Sequence, residues 1–223
     1  MQREELQLDE GDQGLLLPDK LARSIRDLVI SGEILPGQRL SETTFAERFE
    51  VSRNTLREAF RLLTRDGLLK HANNRGVFVA TPTTANLLDI YRVRRMIECA
   101  AIRQAWPRHP ALRGMREAVA SARELSRQSD WRAVGSANMK FHAAVVDLSD
   151  SPRLSEFYKR ISAELRLCFG LLNDLEELHA PFVDMNAEIL SLIESEKVDE
   201  ACDAMSVYLS LSERAVLKAF AEA

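Results

Sequence analysis

The stretch PGQRLSETTFAERFEVSRNTLREAFRLLTRDGLL, Pro36 to Leu69, decides how the rest of the chain is read. Its Pro-Gly pair predicts a turn. A short helix follows over about 42–49, with Phe45 and Phe49 on one face. Glu50-Val51-Ser52 interrupts that pattern. Ser52 is placed to cap a third helix over about 53–66, its hydroxyl accepting a hydrogen bond from a free first-turn amide. With successive residues about 100° apart around a helix, Leu56, Ala59, Phe60 and Leu63 form a buried stripe. Asn54, Arg57, Arg61 and Arg65 gather on the opposite side, and Arg53 sits in the exposed first turn. The helix dipole favours anions at that end, not cations. Arginines placed against this preference point to an external anion such as phosphate, served by dipole and side chains together.

Working outward, Pro18-Asp19 makes a helix entry. Leu21, Ile25 and Leu28 continue at helical spacing to about Ser31, where Gly32 stops the run. Downstream, Gly67 ends the third helix, Leu68 to His71 reads as a strand, and Val77-Phe78-Val79 returns after the turn Ala72 to Gly76. Helix, helix, tight turn, helix and hairpin make a winged helix-turn-helix over 18–80, its third helix of a width that enters the DNA major groove. Residues 1–17 are polar and acidic before a short leucine run, and read as a disordered tail.

The whole chain has 223 residues, a net charge of -4 and 46% hydrophobic residues, an ordinary globular composition. No apolar stretch is long enough to span a membrane, and Met1 to Gly14 lacks the basic-then-apolar order of a secretory signal. Cys99, Cys168 and Cys202 are far apart in sequence and contain no CxxC pair, which excludes a disulfide scaffold and suits the cytoplasm. Charge is unevenly spread: Lys20 to Val79 holds 11 Lys/Arg against 7 Asp/Glu, so the remainder is strongly acidic. A positive segment on a negative chain fits a nucleic-acid-binding module joined to a second module.

Beyond a short linker, 81–85, the strand signal disappears and residues 86–223 read as an all-α bundle. Six helices are predicted, over about 85–106, 111–128, 131–149, 153–178, 182–195 and 198–221, with a break at Ala180-Pro181. The fold class is therefore mainly α. Phe141, Phe169 and Phe182 read as core, whereas His71, His109 and His179 form no ligand spacing and read as surface residues.

From about Leu21 to Val79 the chain resembles the DNA-binding half of GntR-type bacterial transcription regulators, through PGxRL, the VSRxxLREAxRLL core and the DGLL exit. The resemblance implies that Arg53, Asn54 and Arg57 contact DNA, that Ser52 touches phosphate and that Arg75 and Gly76 form the wing tip along the minor groove. Thr43 stands at a further contact position where many relatives carry an arginine. The alternative for these arginines is a solvated face paired with Glu47, Glu50 and Glu58, and for Arg61 and Arg65 it carries more weight. YRVRRMIECAAIRQA, MKFHAAVVDLSDSPRL and AEILSLIESEKVDEACDAM, in that order, resemble the FadR C-terminal effector domain.

Such domains are implied to dimerise, to bind organic acids or acyl thioesters, and often to hold a metal with one aspartate and three histidines. Here His142 stands at the first histidine, while Asn138 replaces the aspartate and Asn186 and Tyr208 replace the other two histidines. Neutral amide and protonated phenol are poor substitutes for imidazole, so no metal and no cofactor are predicted. Asn138, His142, Asn186 and Tyr208 then either line a metal-free effector cavity or merely satisfy one another in the core. Arg94 pairs with an effector carboxylate or, equally, with Glu98 one turn on. The reading is a homodimeric, effector-modulated repressor of operator DNA with no enzyme activity, since no nucleophile–base pair and no paired ExxH motif occur. The rival is a winged-helix module that binds protein rather than specific DNA.

Overall fold

A computed structural model of the chain describes residues 15–72, 75–172 and 174–222. Most of the predicted tail, and Asn73 and Asn74 of the predicted turn, lie outside them. The chain divides between Pro82 and Thr83 into two compact units.

The first unit contains α1 (Leu17–Ile30), β1 (Arg39–Leu40), α2 (Glu42–Arg48), α3 (Arg53–Arg65), β2 (Leu69–Ala72) and β3 (Gly76–Val79). Its antiparallel sheet has the order β1-β3-β2, with Arg39 opposite Phe78 and Lys70 opposite Phe78 from the other side. This is a winged helix-turn-helix. The stripe predicted on α3 is the buried one: Leu56, Ala59 and Leu63 are fully enclosed and pack with Leu21 and Ile25 of α1 into one core. Glu50, in the turn before α3, takes a left-handed φ of 53°, and Gly67 closes α3 at 77°. The two-residue strand β1 has no counterpart in the sequence reading, because two residues are too few to show an alternation. A buried ion pair, Arg26 Nη2 to Asp66 Oδ2 at 2.7 Å, fastens α1 to the end of α3.

The second unit is six helices: α4 (Thr84–Ile102), α5 (Ala111–Arg127), α6 (Trp131–Asp147), α7 (Pro152–Phe169), α8 (Leu175–Glu194) and α9 (Val198–Glu222). Helix α6 is central, packing against α4, α5, α7 and α8, while α9 lies against α4 and α8. Side-chain caps start four of the helices: Thr83, Asp130, Ser151 and Asp174 each accept from an amide of the following turn. Two predictions fail at the α7–α8 junction. In place of a single helix over 153–178, α7 ends at Phe169 and α8 starts at Leu175, and Pro181 lies inside α8 instead of ending a helix. Asp174 accepts from Glu177 N at 2.8 Å and starts α8 ahead of the proline. Pro181 forfeits one backbone hydrogen bond, and the burial of Leu178, Phe182 and Val183 on either side holds the helix together. The first helix of this unit also stops at Ile102, short of 106.

Two histidines correct the surface assignment. His109 and His179 are both buried, the first with Nδ1 accepting from Ala111 N at 3.1 Å; His71 is exposed as read. Phe141, Phe169 and Phe182 are core. Cys99 and Cys202, remote in sequence, meet where α4 packs on α9, with Cys202 Sγ 3.5 Å from the Cys99 carbonyl oxygen; all three thiols are free. Among the described residues no helix is long and apolar enough to cross a membrane.

Removing one partner of a buried pair strands the other charge. Asp66→Ala is therefore expected to lower the stability of the first unit by roughly 3–5 kcal/mol, seen as faster native-state hydrogen exchange across α1 and α3.

Candidate nucleic-acid interface and effector pocket

In the first unit Ser52 caps α3 by accepting from Thr55 N at 3.1 Å, which leaves Arg53, Asn54 and Arg57 on the solvent face. Arg53 Nη2 donates to Thr43 Oγ1 at 3.4 Å, so the α2 residue singled out in the sequence stands beside the start of α3. Arg57 Nε donates to Glu42 Oε2 at 2.9 Å, with the arginine 57% exposed. An exposed pair of this kind contributes about 0–1 kcal/mol, so an incoming phosphate or base edge competes with it readily. A cleft of about 400 Å³ runs beside the helix, lined by Glu42, Arg57, Phe60, Arg61, His71 and Val77. Arg61 is paired with Glu58 at 2.7 Å, as a solvated face would be.

Arg75 is exposed on the hairpin, and Gly76 begins β3 at a φ of 97°. A β-carbon on Gly76 would lie 3.6 Å from Arg39 Nε. Arg39 thus adds an exposed cation to the wing that the sequence reading missed, since only its place on β1 brings it there.

In the second unit the polar centre is Glu98, fully buried on α4. Arg94 Nε donates to its Oε1 at 2.7 Å, Tyr158 of α7 donates to the same oxygen at 2.6 Å, and His142 Nδ1 of α6 donates to Oε2 at 2.6 Å. Burial alone would raise the Glu98 pKa. Arg94 and then His142, with the hydrogen bonds from His142 and Tyr158, overcome it and hold the carboxyl at about 2. Burial also lowers the His142 pKa, with Glu98 opposing. The imidazole is then neutral with its proton on Nδ1, and Nε2 is a bare lone pair. That atom is buried and has no hydrogen-bond partner among the described residues.

One turn before His142, Asn138 Oδ1 accepts from Asn186 Nδ2 at 2.6 Å and from the Tyr208 hydroxyl at 2.9 Å. The Tyr208 ring packs edge-on against His142, with centroids 4.7 Å apart. All four residues expected to replace the family's metal ligands are therefore gathered in one place. Their chemistry does not fit a transition metal. Burial raises the Tyr208 pKa, so its phenol stays protonated and donates. Asn138 already accepts two bonds, and the acceptors here without a partner among the described residues are His142 Nε2 and Asn186 Oδ1. No group of three or more His, Cys, Asp or Glu able to hold a metal occurs among the described residues. Arg94 takes the internal alternative, its ion pair with Glu98, and stacks 5.1 Å over Tyr91. The Tyr91 hydroxyl bonds Ser212 Oγ at 2.6 Å, and burial pushes its pKa up to about 12 despite Arg94. Sequence reasoning missed Tyr158, because nothing local links it to a glutamate 60 residues away.

A family model for bacterial regulatory proteins of the gntR family matches residues 17–79, and one for the FCD domain matches residues 89–211. A solved GntR structure from Rhodococcus sp. RHA1 is 36% identical, with a TM-score of 0.83, and the match covers 91% of this chain and 98% of that one. The Nta operon transcriptional regulator of Aminobacter aminovorans is 28% identical over 179 residues, 78% of this chain and 81% of the relative. The galactonate operon transcriptional repressor of Escherichia coli K12 is 26% identical over 171 residues, 68% of this chain and 75% of the relative. The fold and the resemblance read from the sequence agree with these matches, which are to regulators and not to enzymes.

The Glu98 carboxyl, at about 2 in the folded chain against an ordinary 4.5, stabilises the bundle fully above 4.5 and loses that contribution as pH falls toward 2. Glu98→Gln leaves Arg94 buried without its counter-charge, and is expected to cost roughly 3–5 kcal/mol. It should also flatten the acid limb of stability against pH. Urea unfolding followed by the fluorescence of Trp106 and Trp131 between pH 2 and pH 7 checks both.

Proposed function

The chain belongs to the gntR family of bacterial regulatory proteins and carries an FCD domain, and on that premise we propose that it is a homodimeric repressor whose grip on a two-fold operator is set by an organic acid or acyl compound held in the C-terminal bundle. It is a DNA-binding regulator of transcription. The observation that carries the finer reading is the coexistence, in one chain, of an exposed Arg53–Asn54–Arg57 face and a buried polar centre with unpartnered acceptors.

Each winged helix enters the major groove at one half-site, as a two-fold dimer requires. Arg53, Asn54 and Arg57 reach base edges and phosphates, Ser52 and Thr43 hold the backbone beside them, and Arg75 and Gly76 lie along the minor groove. In the bundle Asn138, His142, Asn186 and Tyr208 line the effector site. Arg94 shapes it through Glu98. No tightly bound metal takes part, because the donors at these positions are a phenol, two amides and one imidazole. A relative named as a repressor of the galactonate operon supports the repressor role. A tenfold change in operator occupancy needs the effector to distinguish two states by only about 1.4 kcal/mol. The protein works in the cytoplasm.

Gel shifts against a randomised duplex pool are expected to yield a palindromic consensus with steep salt dependence. Arg57→Ala should lose sequence preference, at roughly 1–3 kcal/mol for each base contact removed. Unchanged affinity and preference in that variant would reject the assignment of α3. Elemental analysis of protein purified without chelators should find clearly substoichiometric metal; about one zinc, nickel or manganese per chain would overturn the metal-free pocket.

A further inference from the structure

The pairing register sorts the residues of the wing sheet between its two faces. Phe78 of β3 stands opposite Arg39 of β1 on one side and Lys70 of β2 on the other, so these three share a face. Gly76, two residues before Phe78, lies on that face as well, opposite Ala72. Leu40, Leu69, Val77 and Val79 share the other face and are buried. The first face is open. Arg39 and Lys70 are exposed, Phe78 between them is half-buried, and none of the strand residues on this face is acidic.

Arg39 stands apart from other arginines of the first unit. Arg26, Arg48, Arg57 and Arg61 each hold a carboxylate at 2.7 to 2.9 Å. Arg39 has no ion pair and no hydrogen bond among the described residues. Its guanidinium lies instead over Gly76, where a β-carbon would be 3.6 Å from Nε and 3.7 Å from Nη2. A side chain longer than alanine at this position would take the guanidinium's place. The φ of 97° there disfavours any β-carbon at all. Backbone and space together keep residue 76 a glycine, and the room so left goes to a cation.

A guanidinium has donors and no acceptor. In the minor groove of DNA, A·T and T·A pairs present acceptors alone, whereas G·C pairs add the amino donor of guanine. Runs of A·T also narrow that groove and strengthen its negative potential. An arginine that enters it therefore selects A·T by chemistry. Arg39 has no carboxylate to leave, so it enters without breaking an ion pair, unlike Arg57.

We propose that Arg39 is a further operator-reading residue: held over Gly76, it enters the minor groove with the wing and makes binding depend on A·T pairs beside the bases read by α3. The proposal rests on the DNA-binding reading above, to which it adds a residue and a base preference.

The test titrates the full chain with fluorescent duplexes that carry the consensus selected from the randomised pool. The base pairs on either side of the α3 contacts in each half-site are made A·T, G·C or inosine·C. Inosine·C keeps the major-groove pattern of G·C but lacks its minor-groove amino group. The parent is expected to bind A·T and inosine·C flanks alike, and G·C flanks about fivefold or more weakly. Arg39→Ala and Arg39→Gln should bind all three flanks alike while keeping the consensus read by α3, which also reports that they are folded. Variants that retain the parent's flank preference, or that lose the same factor on every flank, overturn the role of Arg39. So does a parent that is indifferent to the flanks or treats inosine·C as G·C. Each of these leaves the DNA-binding reading standing; a parent for which no duplex consensus can be selected overturns both.

Discussion

One buried carboxylate organises the C-terminal unit. An ion taken out of water costs several kcal/mol unless its neighbours replace the lost hydration. Glu98 obtains that replacement from three helices at once: Arg94 from its own turn of α4, Tyr158 from α7 and His142 from α6. Satisfying it therefore fixes where those helices stand relative to one another. The same bonds decide which polar atoms are left over beside it. Because Nδ1 of His142 serves Glu98, its Nε2 is left as a buried acceptor, and Arg94 is neutralised by the same carboxylate. Polarity inside the bundle is a consequence of how this one acid was accommodated.

The N-terminal unit solves the reverse problem. Its core is apolar and local, the α3 stripe against α1, with charge admitted inside through the Arg26–Asp66 pair. Arg53 and Arg57 stand outside, on a helix whose own cap, Ser52, leaves the remaining first-turn amides toward solvent. The first unit leaves Arg53 and Arg57 exposed on α3, whereas the second holds Arg94 against Glu98 inside its core.

What could be read from the sequence was what is decided locally. The α3 stripe, the Ser52 cap and the Gly67 stop are written within one or two turns, and each is found in place. Strand β1 was illegible because two residues become a strand only by pairing with β3. Pro181 was misread because a proline's local penalty is outweighed by the burial of its neighbours. His109 and His179 were misplaced for a similar reason: imidazole has no strong preference for water or core, and packing decides. At the candidate pocket the four substituted ligand positions were found together, since the resemblance supplied their spacing. Tyr158 was not, because it lies 60 residues from its partner Glu98 in the chain.

The Arg57–Glu42 contact has a bearing on how the protein searches a genome. An acid that already occupies the exposed Arg57 guanidinium competes with any phosphate that approaches α3, whatever the sequence beside it. Random DNA offers only charge in exchange, whereas an operator offers base edges as well. Breaking the pair costs the same on either, so Glu42 loosens the hold of Arg57 on all DNA alike, and any preference between sites rests on the base edges alone.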